Sequence, residues 1–350
     1  MAKIDVHAHF LPPFYSEACR DFGHAKPDGM PTLPEWSASE HLGFMQANGI
    51  TKSILSISSP GVHIKNTDDA FNRSLARDCN DYASELCSLY PEKFGFWASL
   101  PLPDLMGTIE EIDRVVNTLD DAVGFCVSTN HHGIYLGDSA FDKVMEKLNA
   151  VQATVFIHPT SPCIRHNHTK LQQDGQASSD SVRSTLHPLP QFPNPMLEFM
   201  FETTRSVINL LHSGTVTEYP DIVFVVPHAG AVLPPILARF SAFSAAVCPP
   251  QLRGVDLSID ALKLALQKRF YFDLAGAPFP DQLAGLLNVV QPYTLLYGSD
   301  YPFTPAEGVS ILSRLMERGL RDMFPGNDEA IDAILFGNAE RLLQRKMTVR

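Results

Sequence analysis

The chain has 350 residues, of which 45% are hydrophobic, and its formal charge is −12. It is long enough for one large α/β barrel and apolar enough to build a core, so we expect a single domain over residues 1–350. The sequence contains no Lys/Arg-rich run and no uninterrupted apolar stretch of about 20 residues, which disfavours nucleic-acid binding and a membrane span.

Hydrophobic periodicity divides the chain into alternating strands and helices. Two segments lack this periodicity, and we predict that they are long loop insertions after the first and fifth strands, at 10–36 and 161–195. The strands are predicted at 4–10, 53–58, 94–100, 122–127, 154–157, 222–226, 270–273 and 294–298. The helices are predicted near 38–48, 69–89, 105–119, 140–149, 196–213, 234–246, 258–268, 306–318 and 328–344.

The alternation of strands with helices predicts a parallel sheet. Eight such strands favour a (β/α)₈ TIM barrel over an open doubly wound sheet, and the glycine-rich dinucleotide-binding fingerprint of open sheets is absent. In TIM barrels the active site lies at the carboxyl ends of the strands. Histidines and acidic residues at those ends are therefore the candidates for chemistry.

The six cysteines are scattered and form no CxxC pair. In a chain of this length, that pattern indicates reduced thiols rather than a disulfide framework. The N-terminus also lacks a basic segment followed by an apolar one, so we expect no secretory signal. Together these features predict a cytoplasmic protein.

His7 and His9 lie two residues apart on the first predicted strand, so both imidazoles can point to the same side. His158 ends the fifth strand and Asp300 follows the eighth. Taken singly, each histidine could be a satisfied core residue and Asp300 a turn residue or helix N-cap. Because all four lie at matching strand ends, we predict that they bind one metal ion, zinc or less favourably manganese.

Five motifs spread along the chain extend this pattern. They are DVHAHF at 5–10, HP at 158–159, PHAG at 227–230, GSDYP at 298–302 and GNA at 337–339. With these motifs the chain resembles the amidohydrolase superfamily and, within it, the metal-dependent decarboxylases that resemble aminocarboxymuconate-semialdehyde decarboxylase. The resemblance implies that His7, His9, His158 and Asp300 are metal ligands and that His228 is a catalytic histidine.

Four further segments carry a narrower resemblance. They are FLPP at 10–13, SILSISSPGVH at 53–63, GIYLG at 133–137 and FETTR at 201–205. In these segments the chain resembles the fungal 6-methylsalicylate decarboxylases. This resemblance implies non-oxidative decarboxylation of an ortho-hydroxy aromatic carboxylic acid, here 6-methylsalicylate to 3-methylphenol and CO₂, as a step of secondary metabolism.

Two departures from the sequences of these families, and one match to them, refine these expectations. Residues 40–44 contain no arginine, although the muconate enzymes use arginines there for a second carboxylate, so a dicarboxylate substrate is disfavoured. Ala231 stands where resorcylate-type members have a glutamate, which argues against a His–Glu pair. Arg239 matches an arginine that reaches the neighbouring subunit's site, so it is a candidate substrate-binding residue and a homodimer is expected. As an alternative, Arg239 is a solvated helix residue.

These residues suggest a mechanism. Asp300 would deliver a proton to the ring carbon, and His228 would polarise water or bind a substrate oxygen, or replace Asp300 as the acid. Trp36 and Phe303 would line an apolar pocket for the substrate. The alternatives are another planar acid (a resorcylate or isoorotate), a mononuclear metal hydrolase of a lactone or amide, and a non-catalytic barrel. Residues 128–130 contain no lysine for a bridging carbamate, which favours one metal.

Overall fold

The computed structural model describes residues 1–165, 183–185, 189, 191–247 and 254–348. Its main sheet has eight parallel strands in the order β1-β2-β3-β4-β5-β8-β9-β10, with helices between them, as expected for a TIM barrel. The strands are β1 (Lys3–His9), β2 (Ile50–Ser56), β3 (Phe94–Ser99), β4 (Ala122–Ser128), β5 (Thr154–His158), β8 (Val223–Val226), β9 (Phe270–Asp273) and β10 (Leu295–Leu296). Short strands β6 (Cys163–Arg165) and β7 (Arg183–Thr185) pair antiparallel with each other.

The helices follow the strands in the alternating order that the sequence predicts, and several carry side chains that cap their first turn. For example, Asp68 accepts a hydrogen bond from the Phe71 amide at the start of the third helix. The helices are α1 (Pro13–Asp21), α2 (Ala38–Asn48), α3 (Asp69–Leu89), α4 (Leu105–Thr118), α5 (Asp142–Ala150), α6 (Glu198–His212), α7 (Thr215–Glu218), α8 (Leu233–Val247), α9 (Ile259–Arg269), α10 (Asp281–Leu287), α11 (Ala306–Met323), α12 (Asp328–Asp332) and α13 (Asn338–Leu343).

Most predicted elements lie where the sequence places them, but four expectations need correction. The segment 10–36, which was predicted as a loop, contains the nine-residue helix α1. The prolines at 12 and 13 were interpreted as loop residues, but proline is also common in the first turn of a helix. Helices α7 and α10 were not predicted. The eighth barrel strand has only two residues, preceded by a 3₁₀ turn, and the predicted helix 328–344 is interrupted by a π-helix at Ala333–Gly337. Most of the predicted insertion 161–195 lies outside the described residues.

A bulge in β1 determines which of its side chains face the barrel interior. Between Asp5 and Ala8 the strand advances three residues while its partner β2 advances two, from Ser53 to Leu55. Val6 packs in the interior cluster that includes Phe156, and the His7 ring also contacts Phe156, at 5.0 Å between centroids. The strict alternation that the sequence suggests for this strand is therefore broken beside the site.

The barrel closes between β1 and the residues that follow β10. The Val6 amide donates to the Tyr297 carbonyl at 3.0 Å, and the His9 amide donates to the Tyr301 carbonyl at 2.7 Å. Between these bonds, the Asp300 amide donates to the His7 carbonyl at 2.7 Å. Since closure uses the backbone on both sides of the two histidines, it brings Asp300 to them across almost the full length of the chain.

Two apolar clusters support this arrangement. One fills the lower barrel interior around Trp97 and Phe156, and the larger one lies between the strands and the surrounding helices. Each fully buried aromatic ring is worth on the order of 2–3 kcal/mol of transfer free energy, so both layers strongly favour the closed barrel. Five of the six cysteines lie in the described residues and none forms a disulfide there. Among the described helices, none has the length and apolarity needed to cross a bilayer.

Candidate metal centre

Four side chains converge at the carboxyl ends of the strands. They are His7 and His9 of β1, His158 of β5, and Asp300 after β10, and one ligand atom from each lies within 4.8 Å of all the others. The three histidines are buried, and Asp300 is 23% exposed in its side chain. All four residues predicted as metal ligands are thus brought together, with the carboxylate on the open side.

The outer ring nitrogens of His7 and His9 are held by neighbouring acceptors. His7 Nδ1 lies 3.0 Å from Asp273 Oδ2, and His9 Nδ1 lies 3.2 Å from the Ser56 carbonyl. Their Nε2 atoms face the same Asp300 oxygen, at 3.4 and 3.1 Å. A proton on Nδ1 leaves a lone pair on Nε2, which is the arrangement that a metal-binding histidine requires.

Burial and neighbouring charge shift the pKa values of the cluster in different directions. Burial alone would lower the pKa of His7, but Asp273 and then Asp300 raise it to about 10. Burial lowers the pKa of His9 and, with the charges of His9 and His7, the pKa of His158. Burial opposes ionisation of Asp300, but the surrounding imidazoles of His228, His7 and His9 hold its pKa well below its usual range. A metal ion would compete with the His7 proton for Nε2.

Asp300 has a left-handed backbone, with φ of 61°. This conformation is rare for a residue with a side chain and is often found at functional sites. The residue before the turn, Gly298, cannot be enlarged, because an added Cβ would lie 2.9 Å from His7 Cβ and 3.1 Å from Asp273 Oδ1. The turn after β10 is therefore tightly packed against the cluster.

His228 lies across the cluster from β1, in the turn that follows β8. Its Nε2 is 4.0 Å from Asp300 Oδ2, and its side chain is 13% exposed. Four successive residues of this turn, 228–231, have positive φ angles between 51° and 73°. The His228 amide donates to Asp273 Oδ1 at 3.2 Å, and the Gln282 side chain donates to the carbonyls of His228 and Ala231. Side chains from β9 and α10 thus hold this turn.

A cavity of about 620 Å³ opens beside the cluster. Its polar wall includes His158, His228 and Asp300, and the Phe303 ring contacts the His9 ring at 5.4 Å between centroids. The remaining wall is largely apolar and comes from the segment before α2, from residues before and within α6, and from the loop after β9. These apolar residues are Met30, Pro193, Pro195, Met196, Phe199, Met200, Ala275, Gly276 and Ala277.

A second, more polar cavity of about 240 Å³ lies at the ends of β2, β3 and β4. It shares Asp28, Ser58 and His158 with the first cavity. Burial raises the pKa of Asp28, which accepts a hydrogen bond from the Ser161 amide at 3.2 Å. Asp28 thus links the segment before α2 to the loop after β5 and forms part of both cavity walls.

Two predicted substrate-binding residues lie away from the cluster. The Trp36 ring nitrogen donates to His41 Nδ1 at 3.0 Å, its ring packs against Phe10, and neither cavity wall contains Trp36. Arg239 is exposed on α8, with its guanidinium stacked 4.6 Å from the centre of the Phe243 ring. Within this chain, only Phe303 of the three lines the cavity beside the cluster.

Asp273 and Gln282 are site residues that were not predicted from the sequence. Asp273 ends a barrel strand, as His158 does, so its position at a strand end is a sequence signal for it as well. Gln282 had no comparable signal, because α10 itself was not predicted and a glutamine on a helix is usually solvated.

The donor set fits a divalent metal ion. Three imidazoles and one carboxylate suit zinc and, less strongly, manganese. His7 Nε2 is fully buried and makes no well-aligned hydrogen bond, although it faces the centre of the cluster. Such an atom is costly to bury unless something binds it, so its position supports a ligand at the centre.

Known proteins resemble this chain over almost its full length. The amidohydrolase family profile matches residues 4–345. Decarboxylase yanB of Aspergillus niger is 34% identical over 324 residues, covering 91% of this chain and 82% of the relative. The 6-methylsalicylic acid decarboxylase of Penicillium expansum is 32% identical over 319 residues, covering 91% and 90%.

Solved structures agree with the fold. A protein described as amidohydrolase II superposes with a TM-score of 0.81 at 34% identity, over 98% of this chain and all of the other. The 5-carboxyvanillate decarboxylase of Novosphingobium aromaticivorans, solved with manganese and a nitrobenzoic acid, superposes with a TM-score of 0.78 at 20% identity. This match covers 98% of the present chain and 96% of the other.

Proposed function

The chain is a carboxy-lyase of the amidohydrolase family, and we propose that it decarboxylates an ortho-hydroxy aromatic acid, with 6-methylsalicylate as substrate and 3-methylphenol and CO₂ as products. The observation that carries this proposal is the opening of the His/Asp cluster into a largely apolar cavity. Such a cavity suits a methylated ring, while the cluster provides the polar end of the site.

His7, His9, His158 and Asp300 would hold a single divalent ion. We propose zinc because three imidazoles favour it, and manganese is the alternative, since the 5-carboxyvanillate decarboxylase was solved with manganese. When bound, the ion would supply Lewis acidity and a template for the carboxylate and the adjacent hydroxyl oxygen of the substrate.

The apolar wall orients the ring and excludes water from it. Phe303 covers the side of the cavity nearest His9, and Phe199 and Met200 of α6 also line the cavity. Removing water from around the ring strengthens the charged contacts at the cluster and favours release of uncharged CO₂. The cavity can therefore hold the carboxylated carbon near Asp300.

Asp300 is the proposed proton donor. When a substrate carboxylate takes the position of Asp300 beside His7 and His9, Asp300 moves away from the positive charge that keeps it ionised, and burial then raises its pKa. The acid then transfers its proton to the ring carbon that carries the carboxylate. A C–H bond forms, the C–C bond breaks with its electron pair returning to the ring, CO₂ leaves, and Asp300 recovers a proton from water.

His228 supports this transfer from the other side. Its Nε2 faces Asp300 Oδ2, so it can supply the proton to Asp300 or bind the substrate oxygen. Help of this kind is worth about 10²- to 10⁴-fold in rate. If Asp300 is not the acid, His228 is the group placed to replace it.

The test is a panel of ortho-hydroxy acids incubated with zinc- and manganese-loaded protein, with CO₂ and aromatic product measured together. The panel contains 6-methylsalicylate, 2,6-dihydroxybenzoate and isoorotate. We expect 3-methylphenol from 6-methylsalicylate and a decrease of at least about 10²-fold in His228→Asn. If only another planar acid of the panel is decarboxylated, that acid replaces 6-methylsalicylate as the assigned substrate. Hydrolysis of a lactone without CO₂ release from any acid would overturn the proposal.

We also propose a homodimer that uses the surface of α8. This helix exposes three large apolar residues, Ile236, Phe243 and Val247, which is unusual for a single helix. Val247 is the most exposed of the three, at 71%. Arg239 lies on the same helix, where a partner subunit could receive it. Light scattering of the wild-type protein should give twice the mass of one chain, and the Phe243→Asp variant should give the mass of one chain. A monomeric wild-type protein would contradict the proposal.

A further inference from the structure

Asp273 lies at the end of β9, between the metal cluster and the turn that carries His228. Its carboxylate is completely buried. Oδ2 contacts His7 Nδ1 at 3.0 Å, while Oδ1 accepts hydrogen bonds from the His228 amide at 3.2 Å and from the Ala275 amide at 3.0 Å. One side chain therefore contacts a proposed metal ligand and the backbone of the proposed catalytic histidine.

We propose that Asp273 is a positioning residue that controls two groups of the site at once: the tautomer of His7 and the backbone of the turn 228–231. The proposal rests on the proposed function in one respect, which is that the cluster binds a metal ion. It does not depend on which acid is decarboxylated.

The first half of the proposal follows from hydrogen-bond chemistry. A carboxylate can only accept, so Asp273 requires the proton of His7 to lie on Nδ1. In the neutral ring that would bind a metal, the Nε2 lone pair then faces the centre of the cluster, where Nε2 has no hydrogen-bond partner in the protein. Carboxylates that hold a ligand histidine in this way typically affect metal affinity by about 10- to 100-fold.

The second half follows from the backbone of the turn. His228, Ala229 and Ala231 all have positive φ angles, which are unfavourable for residues with a side chain. Such a turn persists only where surrounding groups hold it. Asp273 holds the amide end of the turn and Gln282 holds its carbonyls, so the two residues are separate restraints on the position of His228.

Asp273→Asn separates these contacts without changing the side-chain shape. The amide oxygen of the new side chain must stay with the His228 and Ala275 amides, since both are donors. Its NH₂ group must then face His7 Nδ1 and donate to it. The His7 proton moves to Nε2, and the lone pair that would bind the metal is lost.

We expect zinc to dissociate from Asp273→Asn with a constant 10- to 100-fold higher than in wild type, as measured by chelator competition. Glu202→Gln is the matched control, because Glu202 is also a fully buried carboxylate but binds Asn130, Tyr135 and Arg205 instead of the cluster. Its zinc affinity should equal that of wild type. A folded Asp273→Asn protein with wild-type zinc affinity would overturn the proposal.

Gln282→Leu tests the turn independently. We expect unchanged zinc affinity but shifted ring resonances for His228, assigned by comparison with His228→Asn. Gln267→Leu is its control, because Gln267 makes the same type of bond, to the Val289 carbonyl at 3.0 Å, on α9. Unchanged His228 resonances in Gln282→Leu would overturn the part of the proposal that concerns the turn.

A second measurement covers the case in which Asp273→Asn does not fold. In zinc-loaded wild-type protein labelled with ¹⁵N-histidine, His7 should show a protonated Nδ1 and a metal-bound Nε2, with His7→Gln providing the assignment. A proton on Nε2 would overturn the proposal. Neither readout requires turnover, so a failure of the proposed decarboxylation remains distinguishable from a failure of the role given to Asp273.

Discussion

Two aspartates at the carboxyl ends of neighbouring strands have different surroundings. Asp273, the last residue of β9, is completely buried, and its two oxygens contact His7 and backbone amides. Asp300 after β10 has 23% of its side chain exposed and faces the cavity, with His7, His9 and His228 around it. Both are carboxylates at strand ends of one barrel, but only Asp300 can reach a substrate.

The difference shows that position at a strand end is not sufficient to assign a role. A carboxylate surrounded by fixed donors cannot move or exchange partners, and its effect must pass through the groups that it holds. A carboxylate on a cavity wall can give up its partners when a substrate enters. The inner side of the cluster is therefore suited to positioning, and the outer side to proton transfer.

Asp300→Asn should have the largest effect. An amide cannot deliver the proton, so we expect kcat for decarboxylation to decrease by about 10³-fold or more even with saturating zinc. Asp273→Asn should behave differently, because its defect is in metal affinity and excess zinc should restore much of the activity. The comparison fails if Asp300→Asn keeps more than a tenth of wild-type kcat at saturating zinc, or if zinc rescues both variants equally.

Phe303→Leu should have a smaller effect, confined to substrate binding. Phe303 contacts His9 at the cavity wall, and a shorter side chain would lose roughly 1 kcal/mol of aromatic contact with the ring of the substrate. We expect KM to rise about 3- to 10-fold while zinc affinity is unchanged. Trp36→Leu is the control, since Trp36 lies outside both cavities; an equal rise in KM there would contradict this assignment.

The smallest effect on turnover is expected for His41, a fully buried residue whose role we expect to be in stability. The Trp36 ring nitrogen donates to His41 Nδ1, so His41 Nε2 carries the proton and faces Ser53 Oγ at 3.2 Å. Burial lowers the pKa of His41 to about 3, against 6.5 for an unperturbed histidine. The folded protein therefore resists protonation that the unfolded chain accepts.

This pKa shift predicts the direction of the pH dependence. Below pH 6.5 the unfolded chain binds a proton that folded His41 does not, so the free energy of unfolding decreases as the pH falls from 6.5 towards 3. One such group contributes about 1.4 kcal/mol per pH unit. In metal-free protein, urea midpoints should decrease less steeply with acidification in His41→Gln than in wild type. Parallel curves would contradict the prediction.

The positions of the four clustered residues could be predicted because they depend on local sequence. His7, His9 and His158 lie at the ends of apolar strands and Asp300 follows one, and parallel barrel strands bring their carboxyl ends to one face. The motifs around them also place the chain correctly in the amidohydrolase family. No long-range detail was needed for either inference.

The contacts of Trp36, Arg239 and Gln282 could not be predicted in the same way. Trp36 turns towards His41 because a buried acceptor is available there. Arg239 points outwards on α8, and its proposed role in a partner subunit lies beyond what one chain can show. Gln282 reaches the turn 228–231 only because α10 packs beside it.

By itself, the sequence determined the barrel, its strand order and the residues at the strand ends, because apolar periodicity and turn residues act over a few positions. Tertiary structure decided the rest. The bulge in β1 depends on pairing with β2, and closure by residues 297–301 decides how close Asp300 comes to His7. The link from Asp273 to both His7 and His228 joins residues 266 and 45 positions apart, a separation over which no local pattern operates.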